Sequence, residues 1–291
     1  MRRFVALLLM LSLTLMLGAV TTTVCAADED WDAIIAAAKK EGLLVIYNPS
    51  SRMGEAAEGF TAKYGIEVQW AKMNDVEVSD RVVREHEAKA RGADVIVTED
   101  AAILMAQLLP QKYVINYVPS TCKGIIPQEY QDPLVYQFQP RIFGYNTEAY
   151  AESPIKNLWE LTTPEWHGKI AMRDPQFTST NLAWFAEIVE AADEMAAAYE
   201  KCFGEPITLT TPNAGWEFIK RLANNKPIMF NSDTSVAEAV GAKGQADPPV
   251  GLYVLSKHRE IPAKNLALEA CYGLEPCMGY LYPAYVAITA N

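Results

Sequence analysis

Three short loops of this 291-residue chain are rich in hydroxyl side chains, and a predicted helix follows each of them. They are Ser50-Ser51-Arg52, Thr178-Ser179-Thr180 and the stretch from Asn231 to Ser235. The amino terminus of a helix presents unpaired backbone N–H groups and the positive end of the helix dipole. Hydroxyl groups add further donors without bulk, so such loops can bind phosphate, carboxylate and similar oxygen-rich groups.

The same residue types are also the ordinary N-caps of helices, and capping alone explains each loop taken singly. Arg52 and Arg173 stand beside two of the loops, either as anion ligands or as solvated surface charges. A further polar loop, Thr98-Glu99-Asp100, follows a predicted strand. The candidate ligand-binding residues of these loops are Ser50, Ser51, Arg52, Thr98, Glu99, Arg173, Thr178, Ser179, Thr180, Ser232 and Ser235.

Apolar strands alternate with helices through the first part of the chain. Leu43–Tyr47, Ile66–Trp70 and Ala93–Val97 are predicted strands, separated by helices over Met53–Tyr64 and Asp75–Arg91. This alternation predicts an α/β lobe with a mainly parallel sheet. Ligands bind beyond the carboxyl ends of the strands in such sheets, and the hydroxyl-rich loops follow those ends.

The second half of the chain repeats the order of strand, hydroxyl-rich loop and helix. The helix after Thr180 is expected to run from about Asn181 to Tyr199, and Ile142–Thr147 is expected to cross between two lobes. We therefore expect lobe one over residues 27–141, lobe two over 142–275, and a strand returning toward lobe one over 276–291.

Residues 1–26 have the pattern of a cleaved signal peptide. Arg2 and Arg3 precede an uncharged apolar run, and Val24-Cys25-Ala26 precedes an acidic stretch. Cleavage after Ala26 would export the chain to the periplasm. The run is near the lower length limit for a membrane span, so a permanent anchor is the alternative, and Cys25 leaves a lipid anchor open.

The net charge of −11 argues against nucleic acid or an anionic membrane as a partner. Removal of the leader would take away two arginines and no acid, making the chain more acidic. Cys271 and Cys277 flank a turn-like stretch, which permits a disulfide, although buried free thiols are the alternative. The cysteine and histidine spacing matches no zinc site.

Catalytic motifs are absent from the sequence. It contains no G-x-S-x-G, H-E-x-x-H, P-loop or G-x-G-x-x-G pattern, so we expect a binding protein rather than an enzyme, with no cofactor.

Four segments resemble the family-1 extracellular solute-binding proteins of the iron(III) type. They are Glu41-Gly42-Leu43-Leu44-Val45-Ile46-Tyr47-Asn48, Ala93-Asp94-Val95-Ile96-Val97-Thr98, Gly144-Tyr145-Asn146-Thr147 and Thr163-Pro164-Glu165-Trp166-His167-Gly168-Lys169-Ile170. The resemblance implies a two-lobed type II periplasmic binding protein that closes on its ligand and docks on the permease of an ABC importer. It also implies helices after the return strand, and the sequence ends at Asn291, so we expect lobe one to lack them.

The resemblance also bears on the ligand. It adds Tyr145 to the candidate ligand-binding residues, and under a ferric-iron interpretation it implies Glu99, Tyr145 and Tyr253 as metal ligands. The adjacent tyrosine pair of the family is missing at Tyr253, and the arginines and hydroxyl loops suit an oxygen-rich anion better.

We therefore expect a monomeric periplasmic substrate-binding protein that captures a phosphate ester, phosphonate or similar anion. A ferric iron receptor and an exported ligand-sensing domain are the alternatives.

Overall fold

The computed structural model describes residues 29–290, and the expected signal peptide at residues 1–26 lies outside the described residues. The helices are α1 Trp31–Glu41, α2 Met53–Tyr64, α3 Asp75–Glu87, α4 Ala101–Ile103, α5 Ser120–Lys123, α6 Ser179–Glu190, α7 Ala192–Phe203, α8 Ala214–Asn224, α9 Asp233–Gly241 and α10 Ile261–Lys264. The strands are β1 Leu43–Asn48, β2 Glu67–Lys72, β3 Val95–Thr98, β4 Val114–Ile115, β5 Val135–Asn146, β6 Ile170–Arg173, β7 Ile228–Phe230, β8 Val250–Val254, β9 Leu268–Ala270 and β10 Gly279–Thr289. Within this range, no helix combines the length and apolar character needed to cross a membrane.

The strands form one hydrogen-bonded path in the order β2-β1-β3-β10-β5-β8-β6-β7. β1 pairs in parallel with β2 and β3, and β6 pairs in parallel with β7 and β8. β5 and β10 are long, antiparallel and paired with each other between these two groups. The sheet is continuous because both long strands belong to the two halves of the molecule.

Separate hydrophobic cores define the two lobes. The lobe-one core is built around Val78 and Ile96, whereas the lobe-two core is built around Trp159. β10 contributes Tyr285 to the first core and Tyr280 to the second. Each lobe buries its own apolar surface, as an α/β layer architecture requires, and the expected two-lobed α/β fold is confirmed.

The first three helices begin or end at residues whose types favour helix termini. α1 and α2 stop at Gly42 and Gly65, whose φ angles of 75° and 71° favour glycine, and a strand begins within two residues of each. α3 begins with a capping box between Asn74 and Glu77. This cap makes Asp75 the first helical residue and holds it beside the carboxyl end of β3.

Two helices differ from the sequence-based expectation. α3 ends at Glu87 rather than Arg91, because the chain turns at Lys89, whose φ is 51°. The single helix expected to end near Tyr199 is two helices, α6 and α7, separated at Ala191, whose ψ of 37° is not helical. The crossing strand is also longer than expected, since β5 begins at Val135.

The expected disulfide between Cys271 and Cys277 is not formed, and both residues are free thiols. Cys271 is buried in the lobe-two core, and Cys277 packs against the same core. Burial raises the pKa of both thiols, to about 11 for Cys271. The turn between them therefore places each sulfur in apolar packing instead of joining them.

Gly144→Ala is expected to lower the free energy of unfolding by about 1–3 kcal/mol, measured by urea denaturation. A Cβ atom at this position of β5 would lie 1.9 Å from the hydroxyl oxygen of Tyr253, a fully buried side chain. Gly59→Ala in α2 is the control, because its Cβ meets open space and should raise stability by about 0.4–1 kcal/mol. Equal effects of the two substitutions would contradict this packing argument.

Candidate ligand-binding site between the lobes

A buried ion pair lies where β5 meets lobe two. The Arg141 side chain is 0% exposed, and its Nη1 and Nη2 atoms donate to Oδ1 and Oδ2 of Asp233 at 2.7 and 3.2 Å. Asp233 is the first residue of α9, and its Oδ1 also accepts from the backbone N–H of Val254 at 3.2 Å. Charge-assisted bidentate pairs of this kind are strong and directional. The pair therefore fixes the start of α9 against β5 and β8.

Arg173, at the end of β6, stands beside this ion pair. Its Nη1 lies 3.4 Å from Oδ2 of Asp233, which is a long contact, and its side chain is 19% exposed. Its backbone carbonyl accepts from Nδ2 of Asn181 at 2.7 Å. No other described residue accepts a hydrogen bond from the guanidinium, so most of its donors remain available.

Lobe one presents two carboxylates to the same region. Oδ1 of Asp75 accepts from Oγ1 of Thr98 at 3.0 Å and from the backbone N–H of Glu99 at 2.7 Å. Oε1 of Glu99 then accepts from Nε2 of Gln139, on β5, at 2.6 Å. The loop after β3 is thereby attached both to α3 and to β5.

Electrostatic effects connect these groups across the two lobes. Burial and then the charge of Asp75 raise the pKa of Glu99 to about 7, although the charge of Arg141 opposes both effects. Burial likewise raises the pKa of Asp75, and the charge of Arg173, from lobe two, opposes this shift. Asp75, Glu99, Arg141, Arg173 and Asp233 are named the interlobe cluster below.

Two tyrosines complete the surface on which the cluster lies. Tyr280 and Tyr282 are on one face of β10, where they pair with Arg141 and Gln139 of β5, and their ring centroids are 5.6 Å apart. The Tyr280 hydroxyl donates to the carbonyl oxygen of Thr180. The hydroxyl of the buried Tyr282 has no hydrogen-bond partner in the described part of the chain. Sequence reasoning missed this pair, although two tyrosines at i and i+2 on a strand share a face.

The predicted loop before α6 differs from the other hydroxyl loops. No side chain caps the amino terminus of α6, because the Thr178 hydroxyl bonds that of Thr180 at 2.9 Å instead. Oγ of Ser179 is buried and has no hydrogen-bond partner among the described residues. The uncapped N–H groups of α6 and the Ser179 hydroxyl therefore lie at the end of the loop that starts at Arg173.

Two further predicted hydroxyl residues, Ser232 and Thr98, accept hydrogen bonds from backbone N–H groups. Ser232 caps α9 by accepting from the N–H of Ser235 at 3.1 Å, and the two hydroxyls lie 2.9 Å apart. Thr98 donates to Asp75 and accepts from the N–H of Asp100 at 3.1 Å, which uses its hydroxyl in both directions. These residues follow the capping alternative.

The first loop is also built for local structure. The Ser50 hydroxyl accepts from the N–H of Arg52 at 3.2 Å, and Ser51 is exposed. Arg52 is exposed and pairs with Glu55 one turn along α2. The structure therefore does not bring this arginine into the interlobe cluster.

The tyrosines suggested for iron lie elsewhere in lobe two. The hydroxyl of Tyr253 is 3.0 Å from Nε2 of His258, and burial followed by the charge of Cys271 raises the pKa of Tyr253. Burial and then the charge of Glu269 raise the pKa of Tyr145. The structure does not bring them together with Glu99, and residues 29–290 contain no group of three His, Cys, Asp or Glu residues positioned for a metal.

The fold of this chain is similar to that of several solved protein structures. The iron-bound HitA of Pseudomonas aeruginosa matches with a TM-score of 0.63 at 19% identity, covering 85% of this chain and 75% of that one. AfuA of Actinobacillus pleuropneumoniae, with fructose-6-phosphate bound, matches with a TM-score of 0.61 at 21% identity, covering 86% and 74%. Apo ferric ion-binding protein A of Pasteurella haemolytica matches with a TM-score of 0.63 at 16% identity, covering 86% and 74%. The fold is that of the type II periplasmic binding proteins.

A family model described as bacterial extracellular solute-binding protein matches residues 55–264. The chain belongs to this family of bacterial extracellular solute-binding proteins. A comparison with curated protein sequences found no match. The resemblance identified from the sequence is confirmed.

Asp233→Ala is expected to lower the free energy of unfolding by about 3–5 kcal/mol, because it leaves the buried Arg141 charge without a partner. Guanidinium denaturation measures the loss. Asp247→Ala is the control, since its ion pair with Lys169 is exposed and contributes little. A loss for Asp233→Ala no larger than that of the control would show that the buried pair is dispensable.

Glu99→Gln is expected to flatten the dependence of stability on pH. Between its ordinary pKa of 4.5 and its folded pKa of about 7, Glu99 in the folded chain keeps a proton that the unfolded chain releases. Rising pH across this window therefore lowers the free energy of unfolding that Glu99 contributes. Urea denaturation at pH 5 and pH 8 measures the slope, and Glu58→Gln, an exposed acid, should keep the native slope. Equal slopes for the native protein and Glu99→Gln would contradict the assignment.

Proposed function

We propose that this solute-binding protein captures a small oxygen-rich anion, such as a phosphate ester or phosphonate, between its lobes and delivers it to the permease. The observation that carries the proposal is the loop between Arg173 and Ser179. It combines a guanidinium with available donors, a buried hydroxyl without a partner and the uncapped amino terminus of α6. These three kinds of donor are the ones that bind phosphate oxygens.

The second arginine has a supporting role in this proposal. Both terminal nitrogens of Arg141 bond Asp233, while its Nε has no partner among the described residues. Its charge is thus largely balanced by Asp233, and it positions that carboxylate beside Arg173. Arg173 is therefore the residue that we expect to contact the anion directly.

Binding between the lobes explains how the protein would respond to its ligand. The donors of Arg173 and α6 come from lobe two, whereas Gln139 and Tyr282 come from the crossing strands and Glu99 from lobe one. A ligand that contacts all of them gains its full set of hydrogen bonds only when the lobes are close together. Its differential affinity would therefore stabilise the closed form, which the permease could distinguish.

The fructose-6-phosphate bound by AfuA supports the choice of a phosphate ester as a probe. The iron named for HitA and for ferric ion-binding protein A supports the alternative. Ferric iron prefers hard oxygen ligands, and Glu99 and the unpartnered Tyr282 hydroxyl, whose pKa is raised by burial and then by the charge of Glu99, are two such groups. The guanidinium charges of Arg141 and Arg173 oppose a trivalent cation there, which favours the anion.

Arg173→Gln is expected to weaken the binding of fructose-6-phosphate by about tenfold or more, because a charge-assisted hydrogen bond contributes about 1.5–3 kcal/mol. Ser179→Ala is expected to cost less, about 0.5–1.5 kcal/mol. Isothermal titration calorimetry measures both. Arg259→Gln removes an exposed arginine of the same lobe and should leave the affinity unchanged. Unchanged affinity in the Arg173→Gln variant would place the site elsewhere.

Ferric citrate is expected to give no tyrosinate-to-iron charge-transfer band with the purified protein. Such a phenolate would require deprotonation of Tyr282, whose pKa is raised by burial and by the charge of Glu99. Visible absorption spectroscopy tests this, with Tyr282→Phe as the matched variant. A strong band that the Tyr282→Phe substitution abolishes would support the iron alternative over the anion.

A further inference from the structure

The two sides of the interlobe region carry opposite charges. Asp75 and Glu99 project from lobe one, and Arg173 and the positive end of the α6 dipole belong to lobe two. The interlobe cluster contains three carboxylates and two guanidiniums, but the Arg141 pair with Asp233 satisfies one of each. What remains for a ligand is an acidic side and a basic side.

The acidic side has acceptors that the protein does not use. Oδ1 of Asp75 and Oε1 of Glu99 accept all the hydrogen bonds that the described residues donate to these two carboxylates. Oδ2 of Asp75 and Oε2 of Glu99 therefore have no donor among residues 29–290. The protein does not enclose these two oxygens, so each is available to accept a hydrogen bond from a ligand.

An independent observation points to a ligand at the same place. Tyr282 is 5% exposed, and its hydroxyl has no partner within the described residues. Cζ of Arg141 lies 5.8 Å from the ring centroid of Tyr282, and Tyr282 pairs across β10 and β5 with Gln139, which donates to Glu99. The unpartnered hydroxyl therefore belongs to a side chain packed against the interlobe cluster, where it is available to a ligand.

We infer that the ligand is a zwitterion, in which an oxygen-rich anionic group binds Arg173 and the amino terminus of α6 while a protonated amine binds Asp75 and Glu99. This inference rests on the proposed function and adds a second, cationic end to the anion described there. The amine donates to the two unused carboxylate oxygens. The Tyr282 hydroxyl, which has no partner among the described residues, is available to either end of the ligand.

A protonated amine fits better than a hydroxyl group. Asp75 and Glu99 repel each other, and the charge of Asp75 disfavours ionisation of Glu99. A cation between them removes that repulsion, whereas a hydroxyl group donates one hydrogen bond and leaves both charges in place. A zwitterion also preserves the net charge of the cluster, so neither side is left uncompensated.

The test compares probes that differ only in the amine. Calorimetry at pH 8 measures phosphoethanolamine against ethyl phosphate, and 3-aminopropylphosphonate against propylphosphonate. We expect the amine to raise the affinity about tenfold or more in at least one pair. Glu99→Gln should reduce this preference for the amine-bearing member of each pair to about twofold. Glu58→Gln should keep the native preference.

The outcomes separate this inference from the proposed function. Equal affinities within both pairs, with binding that Arg173→Gln weakens, would overturn the zwitterion and leave the anion site standing. A preference for the amine that survives in Glu99→Gln would overturn the assignment of the amine to lobe one. Both proposals would be overturned if none of the four probes binds and if Arg173→Gln binds fructose-6-phosphate with the affinity of the native protein.

Discussion

The buried pair of Arg141 and Asp233 is the interaction on which the site depends. It joins a crossing strand to the first turn of α9, and Asp233 also accepts from the backbone of β8 and contacts Arg173. Desolvating both charges costs free energy, which the bidentate geometry and the third hydrogen bond offset. The net contribution of the pair to the free energy of folding is therefore small, and its main effect is to fix the positions of the side chains around it. It holds the basic residues of lobe two at a fixed place over the crossing strands.

Lobe one uses a similar device. Asp75 is the first residue of α3, as Asp233 is of α9, and each carboxylate accepts from a backbone N–H at the end of a neighbouring strand. A carboxylate in the first turn of a helix also interacts favourably with the helix dipole. In lobe two this carboxylate is neutralised by Arg141, whereas in lobe one it has no arginine bonded to it. That difference makes one side of the site acidic and the other basic.

The sequence predicted the fold well because the fold depends on local patterns. The sequence shows the apolar strands, the helix-ending glycines such as Gly42 and Gly65, and the repeat of strand, loop and helix. Helix lengths were less predictable, since the break at Ala191 and the turn at Lys89 carry no glycine or proline signal.

The candidate site was harder to predict because it is assembled by tertiary contacts. Arg173 and Glu99, which belong to the interlobe cluster, were named from the loops that carry them, whereas Arg141 lies within a strand, and nothing in its neighbours indicates that it forms a buried ion pair. Hydroxyl residues were predicted too freely, because Ser232 and Thr98 complete the hydrogen bonds of the backbone. Only the fold shows that α6 alone among these loops combines an uncapped terminus with a buried, unpartnered hydroxyl.

Native mass spectrometry of the freshly purified protein tests the central claim most directly, because a ligand held between closed lobes can survive purification. We expect a mass increment of a small organic anion, released on denaturation, that is missing from the Arg173→Gln variant and present in Arg259→Gln. An increment equal to an iron atom, or the same organic adduct retained by Arg173→Gln, would contradict this expectation.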